Sequence, residues 1–123
     1  MATQQEAISF IKSNFKTEPL DGGGMKLIFD LGGGRSQLSF VEVSESNVQF
    51  SSPFASLDDV TAKQALEANS EFSLGMQIIG NFYVVKHVAP LADLDASEIN
   101  EAFELVANIA DMLEKRLVGG DNF

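Results

Sequence analysis

The stretch that most limits what this chain can fold into is residues 94–120, LDASEINEAFELVANIADMLEKRLVGG, because it specifies the start, the buried face and the end of a single helix. Asp95 is a good N-cap, and Glu98 three residues later can complete a capping-box-like pair. Leu94 before the cap and Ile99 at the fourth helical position are spaced as a hydrophobic staple, and Gly119 can end the helix in the left-handed conformation. At about 100° per residue, Ile99, Ala102, Phe103, Val106, Ala110, Leu113 and Leu117 fall on one stripe, which Leu105, Ile109 and Met112 widen to an arc of roughly 220°. Glu101, Glu104, Asn108, Asp111 and Lys115 are left for a solvated face. So wide an apolar arc exceeds one flat contact, so its extra face, Leu105, Ile109 and Met112, is expected to need more of its own chain or a partner.

The remainder of the chain must supply what that helix packs on. With 123 residues, one domain spanning 1–123 can bury about two thirds of its unfolded surface, and ten Phe supply the core. Thr3-Gln4-Gln5-Glu6 is a T-x-x-E capping box, followed by Ala7, Ile8, Ile11 and Phe15 on one side of a short helix; Phe10 lies off that stripe, where it either closes the core's edge, the favoured reading, or joins an exposed binding surface. Pro19 and the Asp21-Gly22-Gly23-Gly24 linker end that helical tendency. From Met25 the period becomes two: Met25, Leu27, Phe29 and Leu31 line one face of a strand. Gly32-Gly33-Gly34 turns the chain into a second strand at 37–43, and Ser44-Glu45-Ser46-Asn47 turns it again into a third at 48–51.

Pro53 is expected to stop this meander, and Ser56 with Asp59 to cap an alanine-rich helix reaching Asn69. Alternation returns at 72–79, Gly80-Asn81 is a tight hairpin signal, and 82–88 forms a fifth strand. Both faces of 78–85 are apolar, as in a strand pair covered on two sides. Pro90 breaks that strand before the capped last helix. The expected fold is therefore α+β, an antiparallel five-stranded sheet with helices in the order α-β-β-β-α-β-β-α.

Eighteen acidic against eight basic residues, a formal charge of −10, oppose nucleic-acid and anionic-membrane partners. No run approaches the roughly 20 apolar residues that span a bilayer, and MATQQEAISF has neither the basic nor the apolar part of a signal peptide, so a cytoplasmic protein is expected. Without cysteine, disulfides, thiolate metal sites and thiol nucleophiles are excluded. His87 is the only histidine and sits beside Lys86 in a strand, so neither a histidine metal cluster nor a catalytic pair is available. The serines lack a Gly-x-Ser-x-Gly elbow, and the carboxylates gather at helix N-termini, where the macrodipole favours them. Neither a catalytic residue nor a cofactor or metal site is assigned. The triplet Gly32-Gly33-Gly34 before Arg35 offers backbone N–H groups and a cation to an anion, yet it lies between two strands instead of opening a helix, which favours a hairpin turn.

The order of elements resembles the type III secretion chaperone-like fold, Tir-chaperone-like, and more closely the YbjN family of small bacterial proteins. The residues that carry the resemblance are Ala65-Leu66-Glu67-Ala68-Asn69 leading into a strand, the hairpin at 78–88, the break Ala89-Pro90-Leu91-Ala92-Asp93-Leu94-Asp95, and Ile109-Ala110-Asp111-Met112-Leu113 in the final helix. The resemblance implies an acidic cytoplasmic protein, commonly a homodimer, without catalytic residues; secretion chaperones of this fold hold an extended client segment along apolar grooves. The expectation is thus a non-enzymatic protein-binding module, with Val41, Val43, Leu66, Ile79, Tyr83, Val85, Leu105 and Met112 as interface candidates. The alternative is a regulator that binds a small molecule or phosphate ligand at the glycine triplet and Arg35.

Overall fold

The computed structural model describes residues 3–21, 23–72 and 74–119. Gly22, Ser73 and Gly120, expected in a linker, a strand and a helix end, lie outside them. The chain runs α1 (Gln4–Asn14), β1 (Glu18–Pro19), β2 (Met25–Gly32), β3 (Arg35–Val43), β4 (Asn47–Ser56), α2 (Ala62–Asn69), β5 (Gly75–Ile79), β6 (Phe82–Pro90), a 3₁₀ turn (Leu91–Asp93) and α3 (Ala96–Leu117). The fold is α+β. Its antiparallel sheet has six strands in the order β1-β2-β3-β4-β6-β5, one more than expected, because Glu18–Pro19 adds a two-residue edge against Lys26 and Met25.

The caps form much as their residues dictate. Thr3 Oγ1 accepts from the Glu6 N–H at 3.2 Å while the Glu6 carboxylate accepts from the Thr3 N–H at 3.1 Å. Asp95 accepts from the Glu98 N–H at 2.9 Å, which with the Ser97 hydroxyl lowers the Asp95 pKa; partial desolvation and the nearby Asp95 charge raise that of Glu98. Leu94 and Ile99 are both buried, and Gly119, at φ 82°, returns its N–H to the Glu114 carbonyl.

The second helix starts later than expected. β4 continues through Pro53 to Ser56, which pairs with Phe82, so Ser56 is a strand residue and cannot cap. Thr61 caps instead, exchanging hydrogen bonds with Gln64 at 3.2 and 2.8 Å. Pro53 is tolerated because the sheet opens beside it. β3 and β4 pair only as far as Phe40 and Ser51; beyond that β4 pairs with β6 alone, through an irregularity that leaves Phe54 as the extra residue. Side chains span the opening: Gln37 Nε2 donates to the Pro53 carbonyl and the Ser52 hydroxyl to the Leu38 carbonyl, both at 2.6 Å.

α3 packs chiefly on β4 and also on β3, β6 and β2. Phe103 is the centre of that contact, with its ring centroid 5.0 Å from Phe15, 6.1 Å from Phe29 and 5.0 Å from Phe50, the last edge-on. Ala7 and Ile11 of α1 are buried in the same core, and Phe10 is half-buried at its edge. Truncating Phe103 to Ala should cost about 3–5 kcal/mol, since it removes the one side chain shared by α3, β2, β4 and the segment after α1; urea unfolding with an unchanged slope would measure it.

Candidate functional site

Alternation along the strands divides the sheet into two unlike faces. Leu27 and Phe29 on β2, Val41 on β3, Phe50 on β4 and Tyr83 and Val85 on β6 face the helices and are buried. The residues between them, Ile28, Leu38, Phe40, Gln49, Ser51, Lys86 and Val88, face the other way, where no described helix packs. This open face is rich in apolar surface: Ile28 is 62% exposed, Val88 48%, Ile79 41% and Phe82 40%. Val84, on the same face, is fully buried even though no helix covers it.

A groove of about 490 Å³ crosses this face. Phe40, Gln49, Ser51 and Lys86 form its floor, Gln77 and Ile79 of β5 one wall, and Leu20, Asp21, Gly23, Gly24 and Glu42 the other. The second wall depends on a glycine. At Gly24 φ is +88°, and a Cβ there would stand 3.0 Å from the Val41 carbonyl, so the segment before β2 lies against β3 only without a side chain. Lys86 Nζ donates to Gln77 Oε1 at 3.1 Å across the opposite wall. The groove therefore sets Phe40 beside Gln49, Ser51 and Lys86 at its base, with Gln77 and Ile79 along one wall and the carboxylates of Asp21 and Glu42 on the other, a lining that can meet an apolar side chain and hydrogen-bond an extended backbone.

The glycine triplet forms a hairpin turn, one of whose N–H groups is used within its own chain. Gly33 and Gly34 make the two-residue turn with φ 60° and 81°, as a hairpin requires. The Gly32 N–H is directed at Asp30 Oδ1, 2.8 Å away. Arg35 turns inward: its Nε donates to both Asp111 oxygens at 3.1 Å, and its Nη2 also donates to Oδ1. Lys115 adds a contact of 3.5 Å to Asp111 Oδ2. Hydrogen bonds from the Arg35 guanidinium hold the Asp111 carboxyl below the usual carboxylate range, against the opposing effect of burial. A turn whose N–H meets a carboxylate and whose arginine is clamped by another gives an incoming anion little to bind. Asp111, expected on the solvated face of α3, is only 6% exposed because this pairing draws it against the sheet.

The interface candidates separate by exposure. Val41, Tyr83 and Val85 belong to the chain's own core, and Val43 is half-buried against it; strand alternation identified two faces but not which one the helices would take. Tyr83 also has an internal role, its hydroxyl donating to the Val60 carbonyl at 3.0 Å. Leu66, Ile79, Leu105 and Met112 are exposed at 57%, 41%, 42% and 42%. Only Ile79 of these lines the groove. Ile109 is buried, so α3 absorbs part of its extra apolar arc. The β5–β6 pair is covered on one side only. The sequence does not single out Phe40, Lys86 and Gln77 because their signal is collective: each is an ordinary strand residue until the register brings β3, β6 and β5 onto one face. His87 is half-buried and stacks on Phe50 at 6.3 Å. Among the described residues, no group of three or more His, Asp or Glu is arranged to hold a metal ion, and no helix is long and apolar enough to cross a membrane.

No family model matches the chain, and no curated protein matches it. Among solved structures, it is similar in fold to an uncharacterized protein from Methanothermobacter thermautotrophicus, with a TM-score of 0.56 at 11% identity over 93% of this chain and 99% of that one. A likeness at that identity concerns the fold alone.

The Arg35–Asp111 pair gives stability a defined pH dependence. The folded Asp111 pKa is lowered, so its contribution is fully present above the unfolded carboxylate value near 3.9 and is lost as pH falls through the folded pKa. Asp111→Asn should therefore lower stability at pH 7 by about 1.5–3 kcal/mol and flatten the acid side of the curve. Urea midpoints for both proteins from pH 7 to 2 would test this.

Proposed function

We propose that this chain is a non-enzymatic protein-binding module of the cytoplasm, working as a homodimer and holding an extended apolar segment of a client protein across the open face of its sheet. The observation that carries this reading is the groove over Phe40, with Ile28, Ile79, Phe82 and Val88 left exposed on the same face. A single solvated sheet face ordinarily alternates to polar residues, so large apolar side chains left exposed on it favour a contact surface. An extended segment would place alternate side chains against Phe40 and Ile79 and its backbone against the polar groups of Gln49, Ser51 and Gln77. The resemblance to secretion chaperones, which hold an extended client segment, agrees with this mode of action. The phosphate-ligand alternative loses its support in the Asp30 and Asp111 contacts that occupy the glycine turn and Arg35.

Fluorescence anisotropy with labelled peptides of alternating apolar and polar residues tests this reading directly. Binding should weaken at least tenfold in Phe40→Gln, a half-buried position on the open face, and remain unchanged in Leu105→Gln, which lies on α3. Equal affinities for the two variants, or no binding by any peptide of the set, would remove the groove from consideration.

A further inference from the structure

The two edges of the sheet are treated differently. At the β1 edge the terminal strand is two residues long and contains Pro19, and the Glu18–Lys26 ion pair of 3.4 Å lies across it. Short length, proline and charge are the usual defences of an edge strand. At the other edge, β5 reads Gly75-Met76-Gln77-Ile78-Ile79, with neither a charge nor a proline, and it pairs with β6 in unbroken register. Ile78 is 52% exposed there.

Hydrogen-bond parity identifies the unused groups. The two-residue turn Gly80-Asn81 makes Ile79 and Phe82 the closing hydrogen-bonded pair, and alternation makes Gln77 with Val84 and Gly75 with Lys86 the next two. The N–H and C=O groups of Met76 and Ile78 consequently point away from the sheet. Their natural complement is another extended strand with the same spacing.

We infer that β5 pairs antiparallel with β5 of a second copy of this chain, with Gln77 facing Gln77 on the two-fold axis. This placement rests on the homodimer reading above and locates its interface. Parity requires Met76 and Ile78 to face one another or themselves, and only the register centred on Gln77 overlaps the whole of Gly75–Ile79. In that register Met76 of each copy meets Ile78 of the other on the helix side. On the open face, Ile79 of each copy lies over Gly75 of the other, where there is no side chain to obstruct it. The Gln77 amides meet at the axis, each with its oxygen already accepting from Lys86 and its N–H₂ available to the other copy.

Charge points to the same edge. A chain of formal charge −10 repels its copy over most approaches, whereas β5 has no carboxylate and the charged residue paired to it is Lys86. The two six-stranded sheets then become one of twelve strands. The two grooves, each walled by Gln77 and Ile79, meet across the axis.

The absence of cysteine permits a clean test. Facing residues in a non-hydrogen-bonded antiparallel pair have Cα atoms about 4.5 Å apart, within reach of a disulfide. Gln77→Cys, treated with diamide as the two-electron oxidant, should run as a covalent dimer without reductant, while Gln49→Cys, on the same face but further into the sheet, should stay monomeric. Ile78→Lys should raise the dimer dissociation constant at least tenfold in sedimentation equilibrium, with the circular dichroism spectrum of the wild type retained and its melting temperature lowered only by the lost association. If the wild type is a dimer but Gln77→Cys does not cross-link, or Gln49→Cys cross-links equally, the β5 interface is wrong and the homodimer stands. If the wild type remains a monomer up to millimolar concentration, both fall, and the groove is judged separately by its peptide binding.

Discussion

The packing of Phe103 against Phe15, Phe29 and Phe50 is the contact on which the remaining geometry depends. It joins one position of α3 to β2, to β4 and to the segment that follows α1, elements far apart in sequence. Aromatic rings supply large buried area with a preferred geometry, so the cluster fixes where α3 crosses the sheet as well as holding it there. Once that crossing is set, the choice of covered face is made for every strand at once, because side chains alternate with a period of two. The open groove on the other side is a consequence of the same choice.

Two polar features show how the covered side is completed without becoming a site. The opening between β3 and β4 near Pro53 would leave main-chain groups unpaired, and Gln37 and Ser52 replace the missing ladder bonds. Asp111 and Arg35 close the neighbouring end of the α3 contact by neutralising each other where water is scarce. Breaking such a pair leaves a poorly solvated charge, which ties the hairpin before Arg35 to the helix above it. The Gly32 N–H and the Arg35 guanidinium are thus engaged within the fold, while the opposite face of the sheet keeps the groove over Phe40.

Local chemistry was legible wherever a neighbour in sequence supplies the partner. The caps at Thr3 and Asp95, the turns at Gly33-Gly34 and Gly80-Asn81, and the α3 stripe all follow from residues within a few positions of one another, and all are present. The start of α2 is ambiguous in the sequence because Ser56 and Thr61 both offer capping hydroxyls, and the deciding fact is that Ser56 pairs with Phe82, 26 residues away. Pro53 misled for a related reason: whether a proline ends a strand depends on which neighbour would have needed its N–H.

The sequence alone determined the α+β class, the order of helices and strands, and the buried stripe of α3, since hydrophobic period and capping are properties of short segments. Tertiary structure decided which face of the sheet the helices cover, and therefore that Val41, Tyr83 and Val85 are core while Phe40, Ile79 and Lys86 share a groove. It also brought Arg35 and Asp111, 76 residues apart, into a part-buried ion pair. Both outcomes follow from contacts between residues distant in the chain, whose free energy exists only after the strands have found their register.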